Sequence, residues 1–294
     1  MSVIDELQGL VGGLAESVGA SVVGIGNRRA RGSGVVIAPG KVLTNAHNLW
    51  RDEVGITFND GRTATGKVAG ADVDGDVAVV DVDTGETPPL ELGSDGSPPG
   101  LGQVVFALSN PGGRGLRVTF GLVSGTQRSF RGPRGRRITG SLEHTAPLLP
   151  GSSGGPVVDS SGRLLGINTN RLGEGFYLAI PADATLKTKF ETLARGESPA
   201  RPQLGIGVAP ADVARGLRRA VGLDEVDGLL VRQVMDDGPA QAAGVKEGDL
   251  IVSAGGRATA DADALFEALA SASGSIELKV LRGVDERTIT VDLS

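Results

Sequence analysis

Between residues 21 and 92 the chain alternates short apolar, β-branched runs with turn residues and never sustains a helical period. The runs at 22–25, 34–37, 54–58, 65–68 and 77–82 are separated by signals such as Asn59-Asp60-Gly61, which predicts short strands joined by tight turns. A Gly/Ser/Pro-rich bridge at 93–100 leads into a second set of strands across 103–180. The period changes twice. Val3, Leu7, Leu10, Val11, Leu14 and Val18 fall on one helical face near the start of the chain. Leu186, Phe190 and Leu193 recur at helical spacing after Pro181, which predicts a helix docked on the strands. The prolines of 196–202 disfavour helix and strand alike, so this stretch reads as a linker.

With 294 residues, two or three domains are expected. An apolar content of 39% and a net charge of −6 describe an ordinary globular chain and argue against nucleic acid as a general partner. The 47 glycines are about twice the usual share, which suits many short strands and tight turns. Cysteine is absent, so no disulfide contributes and either redox compartment is open. No run reaches the roughly 20 apolar residues of a membrane span. Asp5 and Glu6 stand where a signal peptide is basic, and Gly9, Gly12 and Gly13 interrupt the apolar stretch. A cytoplasmic location is therefore expected, or an extracytoplasmic one if a leader has been removed. The N-terminal helix has two readings, a cap on the first set of strands or a contact between subunits.

The candidate chemistry begins at Pro150-Gly151-Ser152-Ser153-Gly154-Gly155-Pro156. Small residues around a serine let the backbone bend tightly and leave room for a substrate carbonyl beside the hydroxyl. The N–H groups of Gly151 and Ser153 could then converge as an oxyanion hole. A serine needs a base, and the chain has two histidines. His47 ends the apolar run 42–46 at a turn, whereas His144 reads as a polar position on a strand face. The carboxylate that orients the base should sit beside a packed strand, which favours Asp76 ahead of Val77, Ala78, Val79 and Val80. The nearby Asp72 and Asp74 do not complete a calcium loop, because the glycine is misplaced and no glutamate closes it. The G-x-S-x-G pattern of α/β-hydrolases also fits, but that fold needs a histidine after the serine and none follows Ser153.

The blocks "GSGVVIAPGKVLTNAH", "DGDVAVVDVD", "NPGGRGLRVTFGLVSG" and "PGSSGGPVVDSSGRLLGIN" resemble the HtrA (Deg) family of trypsin-like serine proteases, with the three catalytic blocks in family order. The resemblance implies a mainly β fold, with a trypsin-like double β-barrel followed by a small α+β PDZ domain. It implies Ser153 as nucleophile, His47 as general base then acid, Asp76 as the residue orienting His47, and an oxyanion hole at Gly151, Ser152 and Ser153. Ser152 and Leu149 stand where the family usually has asparagine. Trimerisation through the N-terminal segment is a further expectation, although this segment lacks the aromatic residues that usually mediate it.

Residues 203–294 resemble a PDZ domain through Gln203 to Val208, "GPAQAAGVKEGDLIVSAGGR", a helix near 261–272 and "SIELKVLR". PDZ domains add a peptide strand to a sheet edge and hold its terminal carboxylate with loop amides. Leu204, Gly205, Ile206 and Gly207 are the expected carboxylate loop. Ile206, Leu265 and Leu269 either line the pocket for the last side chain or belong to the core. The expected organisation is thus an N-terminal segment (1–20), a protease domain (21–195), a linker (196–202) and a PDZ domain (203–294).

Leu148, Leu149, Asn168, Thr169 and Asn170 are expected to wall the primary specificity pocket. None is a carboxylate, so a small or medium aliphatic residue before the scissile bond is expected. Arg128, Arg131, Arg134, Arg136 and Arg137 crowd one segment, read as a solvated hairpin or as a contact for an acidic partner or a neighbouring subunit. No GxxxxGK[ST] pattern is present, and no cofactor or metal is expected. Together these features predict an ATP-independent serine endopeptidase that cleaves unfolded or extended polypeptides in protein quality control, with a PDZ domain binding C-terminal peptides. The alternatives are a chaperone-like holdase and a peptide-sensing PDZ adaptor with a resting protease domain.

Overall fold

The computed structural model describes residues 2–26, 32–92, 98–132, 137–173, 175–199 and 203–293. The chain divides into two compact units, Met1–Pro199 and Ala200–Ser294.

Unit 1 opens with helix α1 (Val3–Ser17), whose N-terminus is closed by a capping box between Ser2 and Asp5. Its C-terminal half docks: Leu14 and Val18 are buried in the main core, with Leu10 and Val11 packed against it. Val3 and Ile4 project into solvent at 80% and 74% exposure, so only one end of the apolar face acts as a cap.

Six strands follow: β1 (Val22–Ile25), β2 (Gly32–Ala38), β3 (Lys41–Thr44), β4 (Glu53–Thr57), β5 (Thr63–Asp72) and β6 (Val77–Asp81). They close into an antiparallel barrel in the order β1-β2-β3-β6-β5-β4. Strands β1, β3 and β6 are buried almost throughout, which is why their residues read as continuous apolar runs. In β4 exposed and buried residues alternate, as on a strand with one wet face.

The second barrel contains β7 (Val104–Ser109), β8 (Arg117–Arg131), β9 (Arg137–His144), β10 (Pro156–Val158), β11 (Leu164–Gly173) and β12 (Phe176–Pro181), in the order β10-β11-β12-β9-β8-β7. Helix α2 (Ala184–Ala194) is capped by Asp183 and buries Leu186 and Leu193, with Phe190 packed beside them. One core cluster takes Val35, Leu43 and Val79 from the first barrel and Phe106, Leu108 and Ile167 from the second. The mainly β, double-barrel architecture is borne out.

Unit 2 contains β13 (Ile206–Ala209), α3 (Ala211–Ala220), β14 (Leu229–Val234), α4 (Pro239–Ala242), β15 (Leu250–Ala254), β16 (Arg257–Ala258), α5 (Ala262–Ser271), β17 (Ser275–Arg282) and β18 (Asp285–Asp292). The sheet runs β13-β14-β15-β17-β18, with β16 on β15, so β13 is an edge strand. The sequence pattern did not reveal α3. Its buried residues are Ala214 and Arg218, and a face made of a methyl and a guanidinium carries no apolar period. Arg218 is satisfied there by the carbonyls of Asp224 (2.8 Å) and Gly283 (3.2 Å).

Candidate active site

Strand β3 delivers His47. The chain leaves the sheet at Asn45 and makes a single 3-10 turn, Ala46–Asn48, which carries the imidazole into a cleft. Asp76 ends the turn before β6 with a left-handed backbone, φ +56°, a conformation that aspartate tolerates better than most residues. The turn is held by Asn45 Nδ2 donating to the Asp76 carbonyl (2.9 Å) and by Gly75 N–H donating to Asp72 Oδ1 (2.9 Å).

The Asp76 side chain is 1% exposed and well partnered. Both of its oxygens lie 2.9 Å from His47 Nδ1. Oδ1 also accepts from the His47 backbone N–H (3.1 Å), and Oδ2 from the Thr169 hydroxyl (2.5 Å). An ionised carboxylate only accepts, so Nδ1 carries the ring proton and Nε2 is left with a free lone pair. A buried charge with this many donors is fixed in place.

Ser153 lies on the 150–155 turn that precedes β10, and the turn is gripped by the first barrel. Ser33 on β2 donates its N–H to the Ser153 carbonyl (2.8 Å) and its hydroxyl to the Gly151 carbonyl (2.9 Å). Asn48 Nδ2 adds a third donor, 2.9 Å from the Ser153 carbonyl. Gly154 must be glycine: its φ is +90°, and a Cβ there would sit 2.0 Å from the Ser33 carbonyl oxygen.

The Ser153 hydroxyl donates to the Thr169 carbonyl (2.9 Å) and makes no hydrogen bond to His47. Gly155 N–H donates to the Ser152 carbonyl (3.1 Å), so in a planar trans peptide the Ser153 N–H points the opposite way. Among the described residues, the N–H groups of Gly151 and Ser153 have no acceptor. That of Ser152 is committed to the Leu149 carbonyl (3.1 Å), and the Ser152 hydroxyl is buried against Ser109 (3.1 Å).

A cleft of about 520 Å³ brings His47, Asp76 and Ser153 together with Leu148, Leu149, Asn168, Thr169 and Asn170. It is also lined by Arg131 of the basic segment and by four residues the sequence did not single out: Trp50, Phe130, Arg171 and Tyr177. Trp50, the single tryptophan of the chain, is 82% exposed beside the histidine turn.

His144 lies on a strand, as expected, at the end of β9. It is wholly buried, because it ends β9 with its side chain directed inward. Its Nε2 lies 2.9 Å from Asn168 Oδ1, and its ring stacks on Tyr177 with centroids 5.9 Å apart. Burial pulls its pKa down to about 4, against a smaller upward pull from the Asn168 hydrogen bond. Asn168 passes the connection on, donating Nδ2 to the Gly155 carbonyl (3.1 Å).

The described part of the basic segment lies on the paired strands β8 and β9. Arg128 on β8 pairs with the buried Glu143 (3.2 Å), Arg131 borders the cleft and Arg137 opens β9. Arg134 and Arg136 lie outside the described residues. Asp72 is bound to Lys189 (2.5 Å).

In unit 2, Leu204, Leu265 and Leu269 are buried members of the core, and Ile206 packs against them. The Leu204 carbonyl accepts from Ala240 N–H (2.9 Å), so the Gly205 N–H faces away from it; Gly205 has φ +71°. Gly207 lies on β13, paired with Gln233 of β14.

A family profile of the trypsin-like peptidase domain matches residues 32–167, and one of the PDZ domain matches residues 202–293. The serine endoprotease DegS of Escherichia coli K12 is 31% identical over 280 residues, which cover 90% of this chain and 76% of the relative. The chain belongs to the HtrA (Deg) family of serine proteases. A probable periplasmic DegP-like serine endoprotease of Halomonas elongata is 35% identical, and here the match spans only 56% of the relative's length. The chain thus spans about half the length of the DegP-like members it matches. Among solved structures, the HtrA-type protease AlgW with a decapeptide has a TM-score of 0.67 and 26% identity, covering 96% of this chain and 97% of that one. The serine endoprotease of Yersinia pestis has a TM-score of 0.64 and 28% identity, with 96% of each chain covered. Among the described residues, no helix is long and apolar enough to cross a membrane.

Proposed function

We propose that the chain is an ATP-independent serine endopeptidase acting on unfolded or extended polypeptides, with Ser153 as nucleophile, His47 as base and Asp76 as the group that orients it. The observation that carries this reading is the His47 ring, locked through Nδ1 onto a buried carboxylate in the cleft that also holds Ser153. Rotation about χ1 moves the Ser153 hydroxyl from the Thr169 carbonyl towards Nε2, which takes its proton as Oγ attacks the substrate carbonyl. The unengaged N–H groups of Gly151 and Ser153 receive the oxyanion, without that of Ser152. The imidazolium then protonates the leaving amine, and His47 activates water to hydrolyse the acyl-enzyme.

Leu148, Leu149 and residues 168–170 flank the side chain before the scissile bond, and the exposed end of β11 pairs with the substrate as a strand. The 203–294 domain binds C-terminal peptides along the edge of β13, with the Gly205 amide contributing to carboxylate capture. Residues 1–20, 21–195, 196–202 and 203–294 serve as cap, protease domain, linker and PDZ domain. Membership of the family supports oligomerisation and a role in quality control as parts of this reading.

Digestion of casein by the wild type and by Ser153→Ala, each with and without peptides ending in a hydrophobic carboxylate, tests this reading. Cleavage by the wild type alone, rising with peptide, is the expected result. Absence of cleavage by either protein, with equal suppression of aggregation by both, would transfer the function to binding.

A further inference from the structure

Tyr177 lines the cleft and is nearly buried, at 8% exposure, against 52% for Leu149 on the same lining. We propose that Tyr177 sets the depth of the primary specificity pocket, so that only glycine, alanine or serine is accepted before the scissile bond and valine, leucine or larger side chains are rejected. The proposal rests on Ser153 being the nucleophile and narrows the small or medium aliphatic preference expected from the pocket walls.

The register explains why the ring stands where it does. Tyr177 on β12 pairs directly with His144 on β9 and with Arg171 on β11, while the next residue, Leu178, is fully buried on the opposite face of the barrel. Tyr177 and His144 are cross-strand neighbours on one face, and their rings stack at an interplanar angle of 28°. His144 is fully buried, stacks against the phenol and is held by Asn168, so the ring is backed by packed protein. A substrate side chain therefore meets a fixed wall. Close-packed interiors do not yield to one or two extra carbons without strain.

Asn168 links this wall to the nucleophile. Its backbone carbonyl accepts from Gly154 N–H (2.8 Å), one residue after Ser153. The same asparagine accepts from His144 and donates to the Gly155 carbonyl, so the floor of the pocket and the serine turn are fixed to each other. A side chain too long for the pocket cannot be accommodated by lifting the substrate, because its carbonyl must still reach the Gly151 and Ser153 amides.

The test uses the full chain and matched peptides that differ only in the residue before the scissile bond: Gly, Ala, Ser, Val, Leu, Met or Phe. Reaction with a small alkyl fluorophosphonate, which does not depend on that pocket, reports Ser153 competence separately. The wild type is expected to favour Ala or Ser over Leu and Phe by about 10- to 100-fold in kcat/KM. Tyr177→Ala is expected to raise Leu and Phe at least ~10-fold relative to Ala, by deepening the pocket. A phosphonate-reactive wild type that cuts after Leu or Phe as well as after Ala overturns the proposal, whatever the variant does. So does a phosphonate-reactive Tyr177→Ala with unchanged preferences. A wild type that fails to react with the phosphonate removes the protease reading itself, and the pocket with it.

Discussion

His144 makes the stability of unit 1 depend on pH in a window that can be worked out in advance. Its folded-state pKa is about 4, held down by burial, against 6.5 for the free side chain. The unfolded chain therefore takes up a proton on this residue at a pH where the folded chain does not, and stability falls with pH from 6.5 towards 4. At about pH 5 the unfolded histidine is some 1.5 units below its pKa, which at 1.36 kcal/mol per unit is a loss of about 2 kcal/mol relative to neutral pH. Other groups contribute to the total, so the assay compares two proteins. Urea unfolding followed by far-UV circular dichroism is run with and without His144→Gln, both in a Ser153→Ala background that prevents self-digestion. Glutamine lacks the titration, so its deficit in stability against the parent is expected to shrink by about 2 kcal/mol between about pH 7.5 and 5. Parallel pH profiles for the two proteins would refute the reasoning, since they would mean that His144 titrates alike in the folded and unfolded chains.

Three further outcomes follow from the geometry. Asp76→Asn keeps the left-handed backbone, which asparagine also tolerates, but the amide no longer enforces the Nδ1–H tautomer of His47; kcat is expected to fall by about 10⁴ with the melting temperature little changed. Gly154→Ala places a Cβ 2.0 Å from the Ser33 carbonyl oxygen in a left-handed residue, so a loss of more than about 4 kcal/mol in unfolding free energy, together with activity, is expected. Leu14→Ala should cost about 2–4 kcal/mol in chemical denaturation, because Leu14 is buried in the main core, whereas Ile4→Ser on the exposed end of the same helix should stay within about 0.5 kcal/mol.

The strands, and the gathering of His47, Asp76 and Ser153 in one cleft, were legible because their signals are local. A buried strand such as Val22–Ile25 reads as an apolar run, and the glycines around Ser153 announce a turn that leaves a hydroxyl accessible. What the sequence concealed depends on register and on what lies across a sheet. Tyr177 sits in an apolar stretch that looks like core, and only its pairing with His144 and its place in the lining of the cleft distinguish it. His144 read only as a polar position on a strand face because a histidine carries no mark of burial; its one acceptor, Asn168, is 24 residues away. The expectation for Ser152 failed for a similar reason. Which of two neighbouring amides is free is decided by the turn's own hydrogen bond to Leu149, and residue identity does not encode that.

The grip of Ser33 on the 151–153 backbone bears on when the molecule becomes dangerous to other proteins. Ser153 belongs to one barrel, His47 and Asp76 to the other, and the donors that shape the serine turn reach across from the first barrel to the second. Neither barrel alone holds a complete reaction centre. A nascent chain with one half folded thus has nothing with which to cut, and on the proposed triad the enzyme is armed only when both halves are in place.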